Sequence, residues 1–160
     1  IRAIHELVIK LCAVRKADVL WVPAYEGGHP DHDVANFVAS TLRDDLQVWE
    51  FSEYNFCGSR VRSNEFFSRT GKEIDLKLTG DEQRLKTTLL AMYASERGNL
   101  SYLCTEREVF RPLAEYNYSR PPHPGTLFYR RFAWVAFHPR VNEVRPEEVS
   151  RAIAEFQLNH

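Results

Sequence analysis

No apolar stretch in this sequence approaches the roughly 20 residues that a membrane-crossing helix requires, and no signal-peptide pattern is visible in it. Cysteine is scarce. Cys12, Cys57 and Cys104 are scattered and odd in number, and no CxxC spacing occurs. That argues against a cysteine zinc knuckle and favours a reducing compartment, so a cytoplasmic location is expected. An excess of one charge is lacking as well: 21 Lys and Arg against 22 Asp and Glu leave a formal net charge of -1. A surface built for nucleic acid or for lying on a membrane is therefore not expected. Internal repeats, low-complexity tracts and domain linkers are absent. The chain also lacks an initiating methionine and runs from Ile1 straight into a helical pattern. An internal fragment looks like this, so a preceding segment is expected.

What is present describes one domain over residues 1–160, long enough for a real core, with 44% hydrophobic and 27% charged residues. Ile4, Leu7, Val8 and Leu11 recur at helical spacing and predict an amphipathic helix over 2–15. Asp18 to Ala24 is a short apolar run, the pattern of a strand buried on both faces. A loop with adjacent glycines follows at Tyr25 to His29, and Val34, Phe37, Val38 and Leu42 mark a second helix. Helix, buried strand, Gly-rich loop, helix is the rhythm of an α/β fold with a parallel sheet.

Further along, Gln47 to Ser52 alternates as a strand, and residues 53–70 read as a surface insertion. Residues 73–78 alternate as a half-exposed strand, and Thr79 with Glu82 forms a capping-box pattern before a helix carrying Leu85, Leu89, Leu90 and Met92. A shorter helical stretch is expected near Leu100 to Cys104, an ordered surface loop over Arg111 to Gly125, and a strand over Thr126 to Phe137. Pro146 opens a last helix whose apolar face is Val149, Ile153 and Phe156.

Chemistry concentrates in Gly27-Gly28-His29-Pro30-Asp31-His32. In open parallel sheets, functional groups gather beyond the carboxyl ends of strands. Two glycines turn the backbone sharply and leave room for a ligand beside Gly28. Pro30 suits a first helical turn, and the three-residue spacing brings His29 and His32 to one side of it. Two neutral imidazoles with a carboxylate bind zinc, and Asp31 or Asp33 can orient a ring through its second nitrogen. The same pattern also suits a helix cap with solvated histidines. His123, on the proline-stiffened loop, and Glu26, beside the glycines, are candidates for substrate contact. Arg60, Arg62, Arg111 and Arg120 are surface candidates for meeting an anion, and Trp21, Tyr25, Tyr54, Phe56 and Tyr118 for stacking on a sugar. His5 is read as a packed helix residue, His138 as a strand end and His160 as a loose terminus.

At Tyr25-Glu26-Gly27-Gly28-His29-Pro30-Asp31-His32-Asp33 the sequence resembles the PIG-L/LmbE-like family of zinc-dependent N-deacetylases. The likeness extends to the helix with Lys86 ending in Tyr93-Ala94-Ser95-Glu96, to Glu108-Val109-Phe110-Arg111 and to the Pro-Pro-His-Pro-Gly loop. The resemblance implies a Rossmann-like three-layer fold with a mostly parallel sheet, truncated at its N-terminus. It implies Zn2+, or another divalent metal, bound by His32. His29 would stabilise the tetrahedral transition state or protonate the leaving amine, with Asp31 holding it in orientation. The substrate implied is an N-acetylglucosamine-type amide, losing acetate. The family's other motif, an N-terminal His-Pro-Asp-Asp that supplies the general base and two more ligands, is absent here, so little activity is expected of this piece alone. Another metal hydrolase, such as a phosphoesterase, and an inert carbohydrate-binding or scaffold domain are the alternatives.

Overall fold

The computed structural model describes residues 1–135 and 143–159. Helix α1 (Arg2–Arg15) is followed by strand β1 (Val19–Pro23), helix α2 (Pro30–Ser40) and strand β2 (Gln47–Phe51). β1 and β2 are parallel, with Val19 opposite Gln47 and Pro23 opposite Phe51. A parallel pair needs a crossover, and α2 supplies it by packing Ala39 against Val22 and Val48.

The surface insertion expected over 53–70 is corrected. Strands β3 (Tyr54–Cys57) and β4 (Arg60–Ser63) form an antiparallel hairpin, and Tyr54, Asn55, Asn64 and Phe66 in this region are buried. An apolar period is hard to see there because two of the buried side chains are amides, whose N–H groups bond carbonyls of Glu65, Cys104 and Arg107.

β5 (Ile74–Lys77) and α3 (Gly80–Ala91) follow, and Thr79 and Glu82 make both bonds of the capping box. The short helix α4 (Arg97–Leu100) lies slightly before its expected place. β6 (Arg107–Pro112), which carries no clear period, runs antiparallel to both β2 and β5, giving the sheet order β1-β2-β6-β5. The fold is thus mixed α/β. The expected mostly parallel sheet reduces to one parallel pair, β1 with β2. The strand expected over Thr126–Phe137 is a 3-10 turn at Phe128–Arg130 continuing in turns to Val135, and 136–137 lie outside the described residues. Its apolar content has another use: Leu127, Phe128 and Tyr129 are buried, and Phe128 N–H bonds Gly27 O at 2.9 Å. The chain segment closes with α5 (Pro146–Leu158).

The main core lies between α2 and α5, where Phe37 and Val38 meet Val149, Ile153 and Phe156 with Tyr25 and Tyr118. His5 is the packed residue expected, bonded to Thr41 and edge-on to Phe156. α1 docks through Ile1 and Val8, whereas Ile4, Leu7 and Leu11 face outward, at about half exposure. β1 is not buried on both faces: it is an outer strand whose Trp21 is 49% exposed, stacked on Trp49 and edge-on to Phe110.

Candidate active site at the carboxyl end of β1

Because β1 and β2 are parallel, their carboxyl ends lie side by side, and the loops leaving them meet. Ala24 N–H bonds Phe51 O at 2.9 Å, which starts the two loops together. Both glycines are then required. Gly27 has φ +70, and a Cβ there would stand 2.7 Å from Leu127 Cδ2. A Cβ on Gly28 would stand 2.6 Å from the Tyr54 carbonyl oxygen. Gly28 provides close approach of the loop to β3. Gly27 N–H bonds Asp33 Oδ1 at 3.1 Å, folding the loop back onto the first turn of α2. His29 caps that helix in an extended conformation, with Pro30 at its first turn.

The turn brings the two histidines together, with ring centroids 5.4 Å apart. His29 Nδ1 accepts the Asp31 backbone N–H at 3.2 Å. A nitrogen that accepts carries no proton, so the neutral ring holds its proton on Nε2. Asp31 therefore orients His29 through its main chain; its carboxylate is 90% exposed and lies 3.6 Å from the same nitrogen. His32 is different. Burial pushes its pKa down to about 4, the neighbouring His29 acts in the same direction and Asp31 opposes them, so the ring is neutral near pH 7. Its Nδ1 lies 3.1 Å from Glu53 Oε2.

Neither Asp31 nor Asp33 stands behind His32; Glu53 does. Asp33 is fully buried and bonded to Gly27, and burial chiefly, partly offset by that N–H, pushes its carboxyl up to about 8. Glu53 was hidden in the sequence among polar residues. The signal that finds it is its place, two residues beyond the strand that pairs parallel with β1. Phe51 pairs with Phe110 in the antiparallel β2–β6 register, and continuing that register sets Glu53 level with Glu108. Burial first, and Glu108 second, raise the Glu53 pKa, and Lys86 lowers it. Lys86 is itself ion-paired with Glu108.

Glu26 turns inward. It is 4% exposed, and its carboxylate accepts Ser52 Oγ at 3.0 Å, Asn55 Nδ2 at 3.1 Å and the Glu53 N–H at 2.8 Å. His123 is also buried; its ring stacks on Phe67 at 4.5 Å and its Nδ1 meets the Pro124 carbonyl, contacts that include neither motif histidine. A cavity of about 460 Å³ opens beside Glu26, lined by Phe66, Phe67, Lys72 and Tyr116 and by neither motif histidine. Of the arginines, Arg60 and Arg120 are exposed, Arg62 pairs with Glu65, and Arg111, far from being a surface residue, is buried against Glu50. Tyr25, Tyr54 and Tyr118 are buried packing residues, leaving Trp21 among the sugar-stacking candidates as the most exposed ring. His138 and His160 lie outside the described residues.

As zinc donors these residues fit in part. His32 is a neutral imidazole with a carboxylate at its other nitrogen, the arrangement usual behind a zinc-bound histidine. A zinc site needs three or four protein donors, and no three His, Cys, Asp or Glu side chains gather to hold an ion among the described residues. No helix among them is long and apolar enough to cross a membrane. No family model matches the chain, and comparisons with curated proteins and with solved structures give no match either.

Proposed function

We propose that this chain forms the His-Pro-Asp-His part of a zinc-dependent N-deacetylase, within a Rossmann-like three-layer domain. Its substrate would carry an acetamide, as N-acetylglucosamine and its conjugates do. The observation that carries this reading is the pairing of two unlike histidines on one helical turn: His32 kept neutral by burial, and His29 closed at Nδ1. Neutral imidazole is the form that ligates zinc. Zinc, held in part by His32, would supply a Lewis acid that polarises the acetamide carbonyl and lowers the pKa of a bound water toward about 7. His29, with its proton on Nε2, donates to the acetamide oxygen as negative charge develops, or passes that proton to the departing amine. Glu26 and Asp33 hold the two loops that set this geometry.

A second reading, an inert carbohydrate-binding or scaffold domain, draws on the donor count, since no three His, Cys, Asp or Glu side chains gather around His32 among the described residues. Zinc content and amine release from N-acetylglucosamine conjugates separate the two. On the deacetylase reading the full-length protein holds zinc and releases amine, its His32→Ala variant loses the metal, and His29→Ala keeps it while kcat falls about 10²–10³-fold. Equal zinc and turnover in His32→Ala would remove His32 as a ligand. Zinc without amine release would favour another metal hydrolase, and absence of both the inert domain.

A further inference from the structure

We infer that Glu53 is a positioning residue for His32: its carboxylate accepts the Nδ1–H and leaves the Nε2 lone pair as the ring's donor to an ion. The inference deepens the reading of His32 as a zinc ligand and rests on it for its function, though not for its geometry.

Three observations support it. The two groups stand at ion-pair distance, Glu53 Oε2 lying 3.1 Å from His32 Nδ1. The competing carboxylates are engaged elsewhere: Asp31 is 90% exposed, and Asp33 Oδ1 accepts the Gly27 N–H. Glu53 is also held from behind. Its own N–H bonds Glu26 Oε1 at 2.8 Å, and Glu26 is fixed by Ser52 and Asn55, whose amide reaches on to the Glu65 carbonyl at 2.8 Å. Glu108, level with it in the continued β2–β6 register, repels it, and the Lys86 ion pair counters that repulsion. The carboxylate is thus anchored at its backbone and balanced in charge, as a group that sets a ring plane must be.

The consequence is that two histidines three residues apart hold opposite tautomers. His29 accepts at Nδ1 and keeps its proton on Nε2; His32 donates at Nδ1 and leaves Nε2 bare. One ring is built to give a proton, the other to bind an ion. A carboxylate behind a ligating imidazole also raises its basicity, and losing such a partner typically weakens metal binding about 10–100-fold.

Two measurements test this. Imidazole nitrogen shifts of the metal-free protein near neutral pH should show His32 protonated on Nδ1, with Glu53→Ala giving mixed tautomers. Glu53→Gln should keep the Nδ1–H form, because its amide oxygen still accepts. Zinc titrated against a chelator should then bind Glu53→Ala about 10–100-fold more weakly than the parent, with Glu53→Gln between them. An Nε2–H ring in the parent would overturn the assignment. So would parent-like zinc affinity in Glu53→Ala while His32→Ala loses the metal, and that result would leave His32 as a ligand. A full-length protein that binds no zinc would remove the deacetylase reading, and the nitrogen shifts would still decide the role of Glu53.

Discussion

Glu26 is polar, borne on a loop and next to two glycines, all of which suit contact with a ligand, yet its oxygens are committed to the chain's own segment 52–55. What it does instead shows in its ionisation. Burial, partly offset by its hydrogen bonds, raises its carboxyl from 4.5 to about 7. The folded state therefore binds this proton more tightly than the unfolded chain does. Its contribution to stability is present in full below pH 4.5 and is lost as the pH rises through about 7. Glu26→Gln mimics the protonated group and removes the titration. The stability difference, parent minus variant, should fall by roughly 3 kcal/mol between about pH 4 and pH 8 in urea denaturation. A difference constant with pH would mean that Glu26 stays ionised in the fold. His29 and His32 were legible at this scale because their spacing and their glycines are local. Glu53 was not, since nothing around it in sequence marks it as a neighbour of His32.

At the scale of elements, the unit that matters is β1, its loop and α2. The helix was predictable from Pro30 and the period of Val34, Phe37 and Val38, and those residues do form it. The glycine pair was legible as a tight turn, but what it makes room for is the backbone of β3, a strand that no clear period reveals. Gly28→Ala tests that contact. A Cβ 2.6 Å from the Tyr54 carbonyl forces the loop and hairpin apart, at a cost of about 1–3 kcal/mol. Calorimetry should show Tm lowered by roughly 2–4 °C for each kcal/mol lost. Because the loop is tied to the first turn of α2, which carries His32, and Glu53 directly precedes the hairpin, zinc affinity on the deacetylase reading should fall as well. Unchanged Tm and zinc affinity would show that the approach relaxes without effect. α3 gives the opposite lesson: its capping box is local and forms as read, whereas its apolar residues Leu85, Leu89 and Met92 stay half exposed or more.

Across the whole molecule, a buried polar network does what the apolar pattern does not announce. Glu50 is fully buried and accepts Arg111 Nε at 2.7 Å, Tyr116 OH at 2.8 Å and Asn36 Nδ2 at 3.0 Å. Asn36 also reaches the Pro23 carbonyl and takes the Tyr118 hydroxyl, while Arg111 goes on to Ser68 O and Glu73. The carboxyl end of β1, the helix, two further strands and the loop after β6 are joined through it. Arg111→Met leaves the Glu50 charge without its cation and should destabilise by about 3–5 kcal/mol in urea denaturation. Arg111→Lys should recover little, since one ammonium cannot reach Glu50, Ser68, Glu73 and Tyr116 together. A loss under about 1 kcal/mol for Arg111→Met would show the network to be neutral for stability.

The sequence alone determined the helices, the two strands that flank α2 and the turn that brings His29 beside His32, because period, proline, glycine and caps act within a few residues. The tertiary structure decided what stands behind those histidines. Sheet register placed Glu53 against His32 and set Glu108 level with it. Burial made a framework of Glu26, Asp33 and Arg111, which, read in sequence, look like contacts for a substrate, a histidine ring and an anion. Desolvation and strand pairing are properties of surroundings that are distant along the chain, and no local pattern encodes them.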